Sequence, residues 1–205
     1  MIQLNNITTG YSRDKPLKSN FSYVFEDNKI YGILGESGCG KSTLLKTIAG
    51  LIYPIQGEVY IDNKILQKAS KNDVYMMHQN YTLFDWLTCL DNILIVEKIN
   101  HRRITHDVKK NALEWLDKVG LKECANKYPK QLSGGMRQRL ALARTLYMKP
   151  SIILMDEPLS ALDERTRSDM QQLILDVHNQ THNTIIMVTH SKEEANKMCD
   201  TILKF

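Results

Sequence analysis

Apolar positions alternate with polar ones at residues 2–8 and again at 21–25 ("FSYVF"), which predicts two short strands. "IYGIL" at 30–34 is apolar and β-branched and runs straight into glycines, as a buried strand does. Residues 42–50, "STLLKTIAG", change to helical spacing, with Gly50 as the stop. A hairpin is predicted over 57–66 around Asp62-Asn63, and a further strand at 74–78. From about residue 87 to 148 the spacing is helical throughout. Thr88 and Asp91 suit a capping box, Val108, Ala112, Leu116 and Val119 share one face, and Leu140, Ala143, Leu146 and Tyr147 share another. After Pro150 strands and helices alternate: strand 152–155, helix 164–179, strand 184–188, helix 192–199 opening on Ser191 and Glu194, and strand 201–204. That alternation predicts an α/β fold with a mostly parallel sheet. The expected organisation is one domain over 1–205, with a helical subdomain inserted at about 85–148 and an N-terminal antiparallel β part.

Composition narrows this little. Of 205 residues, 42% are hydrophobic and 24% charged, as in an ordinary globular protein. The net charge of +4 suits an anionic small ligand, and the basic residues are scattered, so no nucleic-acid footprint is expected. Four separated cysteines argue against a disulfide framework or a zinc site. His178 and His182, four apart without an acidic companion, read as solvated. No run approaches the roughly 18 apolar residues of a membrane span. A cytoplasmic protein is expected, reaching a membrane only through a partner.

Two stretches look built for anions. "GESGCGKS" at 35–42 fits G-x-x-x-x-G-K-[ST] between a predicted strand and a predicted helix. Gly35, Gly38 and Gly40 let the backbone of Glu36, Ser37 and Cys39 turn sharply and aim N–H groups at one point, where the helix macrodipole adds favourable potential. Lys41 supplies a point charge for β- and γ-phosphates, Ser42 a hydroxyl for Mg²⁺, and Thr43 a further phosphate contact. The strand "IILMDE" ends in Asp156-Glu157, where an open α/β sheet places its ligands. Asp156 suits a magnesium-bound water there, and Glu157 the orientation or deprotonation of an attacking water. The second stretch, "LSGG" at 132–135, precedes a helical segment: Ser133 offers a hydroxyl, Gly134 and Gly135 offer amides, and there is no lysine. Taken alone it also reads as a plain capping loop.

Together these elements resemble the ATP-binding subunit of ABC transporters. "GESGCGKS", Gln79 after a strand, "LSGGMRQ" (132–138), "IILMDE", "SALD" (160–163) and His190 occur in that family's order, over essentially the whole chain. The resemblance implies an ATPase with a P-loop core, ATP and Mg²⁺ as cofactors, and a second copy closing its LSGG element over the first copy's ATP. It implies that Gln79 contacts the metal or water and senses the membrane partner, that His190 touches the γ-phosphate, and that Asp163 lies at the dimer seam. Tyr11, in "TTGYSRDKP", would stack on adenine. Arg137 and Arg139 would buttress the helix. Transmembrane permease subunits become obligatory partners, and import also implies an extracytoplasmic solute-binding protein. "LFDWLTCLDNI", "LSGGMRQR" and "EPLSALD" resemble the nitrate, sulfonate and taurine importers, although Asp85 replaces a usual proline and Ser191 a usual aspartate. The competing reading is a non-transport ABC-type ATPase acting on nucleic acid or ribosomes, which would have two cassettes in one chain or a long coiled-coil insertion.

Overall fold

The computed structural model describes residues 1–12, 15–66 and 74–205, with the side chains of Tyr11, Ser12 and Lys15 excepted. Two compact units make up the chain. One comprises Met1–Met76, Pro150–Glu157 and His178–Phe205, the other Met77–Lys149 and Pro158–Val177.

The first unit begins with an antiparallel sheet of order β2-β1-β4-β5: β1 (Ile2–Ser12), β2 (Lys15–Phe25), β4 (Gln56–Ile61) and β5 (Lys64–Ile65). β1 and β2 are longer than the alternation predicts. The apolar/polar rhythm breaks at Asn5-Asn6 and Ser19-Asn20, yet the ladder continues past register shifts, with Asn6 (φ 47°) and Asn20 (φ 53°) taking left-handed backbone. The β4–β5 turn is the expected hairpin, Asp62 and Asn63 both having positive φ (49° and 61°) as a type I′ turn demands.

A second, five-stranded sheet has the order β6-β7-β8-β3-β9: β3 (Ile30–Leu34), β6 (Val74–Met77), β7 (Ile152–Asp156), β8 (Thr184–Val188) and β9 (Thr201–Lys204). The β7–β8, β8–β3 and β3–β9 pairs are parallel. β7 and β8 are buried at every position, the signature of a strand covered on both faces. α1 (Lys41–Ile48) follows β3 and sinks Leu44, Leu45 and Ile48 into one core with Ile33, Leu154, Ile186 and Val188. Gly50 (φ 68°) ends it as expected, its N–H on Thr47 O. α6 (Lys192–Met198) precedes β9.

In the second unit α2 (Cys89–Ile99), α3 (His106–Lys118) and α4 (Gly134–Tyr147) pack on one another, and α5 begins there (Glu164–Thr181). α3 buries Ala112, Leu116 and the following Val119 as expected, and also Trp115; Val108 is only half-buried. Thr88 Oγ1 accepts the Asp91 N–H at 3.1 Å, which starts α2. His178 is not simply solvated: at the C-terminal end of α5 it is half-buried, with Nδ1 3.3 Å from Asn183 Oδ1.

Candidate active site

In the first unit the sheet order brings three strand ends side by side. β7, β8 and β3 are neighbours and parallel, so their carboxyl ends emerge on one edge. Asp156 and Glu157 end β7, Thr189 and His190 follow β8, and the 35–42 loop follows β3. Residues more than a hundred positions apart thereby share one rim.

The loop after β3 turns on Gly38 (φ 82°) and Gly40 (φ 103°), values that side-chain-bearing residues rarely adopt. Gly40 is the N-cap of α1, makes no side-chain capping bond, and the first turn of α1 carries no acidic residue. The amides at this helix start are therefore left for an anion from outside. Lys41 is 5% exposed, and its ammonium donates to Gly35 O (2.9 Å) and Glu36 O (2.6 Å), arched over the loop. Ser42 Oγ donates to Asp156 Oδ1 at 2.8 Å, joining the two residues that sequence reasoning assigned to a metal. Glu157 has φ 50°, donates its N–H to Val188 O at 3.0 Å, and pairs its carboxylate with His190 Nε2. His190 is about half exposed while Glu157 is largely covered. One rim thus carries a glycine-rich loop opening a helix, a hydroxyl–carboxylate pair of oxygen donors, and a carboxylate–imidazole pair.

Gln79, Ser133, Gly134, Gly135 and Asp163 belong to the second unit. Gln79 lines a cavity of about 410 Å³ with Asn80, Tyr81, Asp85 and Arg137. Ser133 is the N-cap of α4, its Oγ accepting the Met136 N–H at 3.3 Å. Gly135 is held close: a Cβ there would meet Ala161 O at 3.2 Å. A Cβ on Gly134 would meet nothing within 4 Å. Asp163 caps α5 by accepting the Thr166 N–H at 3.0 Å, and that amide, with the Thr166 hydroxyl, holds its carboxyl below the ordinary value. Tyr11's side chain lies outside the described residues.

The family model described as ABC transporter matches residues 18–160. The chain belongs to the ABC transporter family. An uncharacterized ABC transporter ATP-binding protein of Bacillus subtilis is 44% identical over 180 residues, 88% of this chain and 68% of the relative. The aliphatic sulfonates import ATP-binding protein of Bacillus thuringiensis is 38% identical over 197 residues (95% and 76%), and the nitrate transport protein of Klebsiella oxytoca 37% over 186 (90% and 71%). A solved ATP-binding cassette, dimeric and bound to ADP and Pi in a post-hydrolysis state, superposes with a TM-score of 0.91 at 32% identity, covering 100% of this chain and 94% of its own. As an ABC transporter cassette the chain binds ATP and is an ATPase.

Several residues that shape this ABC cassette escaped the sequence reading. Gln138, fully buried, accepts the Ala161 N–H at 3.0 Å and ties the signature helix to the "SALD" loop. Arg144, also on α4 and 5% exposed, donates to Thr82 O at 3.1 Å and lies over the Phe84 ring, anchoring the segment after Gln79. Asn92 is fully buried and clasps Phe84 from both sides, accepting its N–H (2.9 Å) and donating to its carbonyl (3.1 Å). Gln138 stood inside "LSGGMRQ" and could have been flagged from it. Arg144 carried no local signal, and Asn92, although inside "LFDWLTCLDNI", carried none for its clasp on Phe84. Arg139 does buttress its helix, donating to Val119 O at 2.6 Å, whereas Arg137 is exposed along the cavity edge.

Proposed function

We propose that this ABC cassette hydrolyses ATP between two copies of itself and powers solute import through separate transmembrane permease subunits. The observation that carries this reading is Gly134. Its missing Cβ faces open space, so nothing among the described residues demands a glycine there, yet it opens α4 directly after the capping serine. A surface kept bare at a helix N-terminus suits the close approach of an anion. Ser133, Gly134 and Gly135 would grip the ATP held by Gly35–Thr43 of the sister molecule, by backbone and dipole alone, and release it each cycle. The dimeric, ADP- and Pi-bound cassette supports such pairing. The whole chain is read as one ATPase domain with a helical subdomain inserted at about 85–148, with Asp163 at the seam and Tyr11 against adenine.

The chemistry is in-line transfer of the γ-phosphoryl group to water. Amides of Glu36 through Ser42 cradle the phosphates, Thr43 adds a contact, and Lys41 turns from the loop carbonyls to the β- and γ-oxygens. Ser42 and Asp156 form an all-oxygen donor pair that fits Mg²⁺; the metal would supply charge neutralisation at the phosphates, and by the family resemblance alone Gln79 would contact the metal or water. Glu157 orients the attacking water and takes its proton. His190, paired with Glu157, would hold the γ-phosphate. The names of the sulfonate and nitrate relatives favour transport, and the sulfonate name favours import, with the chain held at the inner face of the cell membrane by its permease and served indirectly by an extracytoplasmic solute-binding protein. Those names do not favour action on nucleic acid.

Complementation tests the shared site. Ser133→Arg and Lys41→Ala should each be inactive alone, but a mixed dimer would hold one intact site, so mixing the two proteins should restore hydrolysis. If mixing restores nothing while each variant remains folded, sharing is wrong.

A further inference from the structure

We propose that the buried Thr189–Glu194 pair is a positioning device for His190, acting through the backbone on both sides of the imidazole. The sequence pattern Ser191-x-x-Glu194 predicts a reciprocal capping box, in which the glutamate side chain returns to the serine N–H. Only half of that box forms. Ser191 Oγ accepts the Glu194 N–H at 3.1 Å. The Ser191 N–H goes instead to Thr189 Oγ1, also at 3.1 Å. The Glu194 carboxylate, 6% exposed, turns inward and accepts the Thr189 hydroxyl proton. A carboxylate withdrawn from water at a helix start is costly unless something is gained.

The gain is geometric. The carboxylate takes the only proton of the Thr189 hydroxyl, which leaves the oxygen's lone pairs to receive Ser191 N–H. Thr189, 4% exposed, also donates its own N–H to Ile33 O at 3.3 Å, at the end of the strand that runs into the phosphate loop. The residues before and after His190 are thus tied to each other, to α6 and to β3, while the imidazole itself stays about half exposed against Glu157. Neither Thr189 nor Glu194 needs to touch nucleotide for this. A β-branched residue limits χ1 at position 189 and adds to the effect.

This inference rests on the role proposed above for His190, and the experiment separates the two. Steady-state ATP hydrolysis is measured for His190→Ala, Thr189→Val, Thr189→Ser, Glu194→Ala and the double variant Thr189→Val/His190→Ala, with ATP affinity and melting temperature recorded for each. Thr189→Val keeps the shape and deletes the hydroxyl; it should lower kcat roughly ten- to a hundredfold with KM changed little, because a misplacement of about 1 Å has that effect. Glu194→Ala should do the same, and Thr189→Ser should restore most of the rate. In the double variant the Thr189→Val loss should vanish on top of His190→Ala. If His190→Ala is as active as wild type, the role of His190 itself fails. If His190→Ala is impaired while folded Thr189→Val is not, or if the two losses multiply, the positioning proposal is overturned.

Discussion

Glu157 stands in left-handed backbone (φ 50°), a conformation that costs a non-glycine residue of order 1 kcal/mol. Its N–H bond to Val188 O fixes that turn and points the carboxylate at His190 rather than along the strand. Replacing the carboxylate by an amide preserves shape and would remove the proposed base. Glu157→Gln should therefore bind ATP normally and lose hydrolysis by about a hundredfold or more, as loss of a general base commonly does. Phosphate release at saturating ATP checks this, and unchanged turnover removes Glu157 from the role. Residues of this kind were legible in the sequence because a phosphate cradle needs closely spaced glycines followed by lysine and serine, and because an acidic pair ended an apolar strand. Thr189, Asn92 and Arg144 were not, because their meaning depends on partners that only folding supplies. Ser191 sits between these cases: its cap was readable, and the diversion of Glu194 to Thr189 was not.

At the scale of elements, caps and clasps decide where helices begin. Asn92 on α2 gathers Phe84, and its amide also donates to Leu87 O (3.1 Å) and Thr88 O (3.0 Å), so one side chain organises the whole approach to the helix. Phe84 O and Thr88 O also accept the Leu87 and Asn92 backbone N–H groups, so Asn92→Ala would strip only the Phe84 N–H and Leu87 O of the partner the clasp gives them, and it should cost roughly 1 kcal/mol or more in urea unfolding, since each lost hydrogen bond costs about that much. A change within a few tenths of a kcal/mol would contradict the clasp. Asp163 makes a pH prediction. Its folded value is depressed by the Thr166 amide, so its contribution to α5 is complete above the unfolded value and is lost as pH falls through the folded one. Melting temperatures of wild type and Asp163→Asn should then converge on acidification below about pH 4, the ordinary aspartate range. A difference that persists unchanged at low pH would contradict this. Helix periodicity and turn pairs such as Asp62-Asn63 were readable in advance. The full length of β1 and β2 was not, because asparagines at bulges break the alternation while leaving the ladder whole.

At the scale of the molecule, the parallel order β7-β8-β3 lines up the three strand ends that carry Asp156, Glu157, His190 and the phosphate loop. The strand–helix alternation foretold a parallel sheet, but strand order is set by how helices cover the sheet and could not be read from spacing. Among the described residues no helix is long and apolar enough to cross a membrane. In the proposed mechanism the bare Gly134 at the head of α4 would serve when a sister molecule meets it. Assembly is thus the property from which the function would follow. The most direct measurement is sedimentation velocity of Glu157→Gln with saturating ATP and Mg²⁺, beside Glu157→Gln/Ser133→Arg. The expected result is a stable dimer retaining two ATP molecules for the first and a monomer for the second. A Glu157→Gln protein that binds ATP yet remains strictly monomeric, alone and assembled with its permease, would contradict the shared-site mechanism.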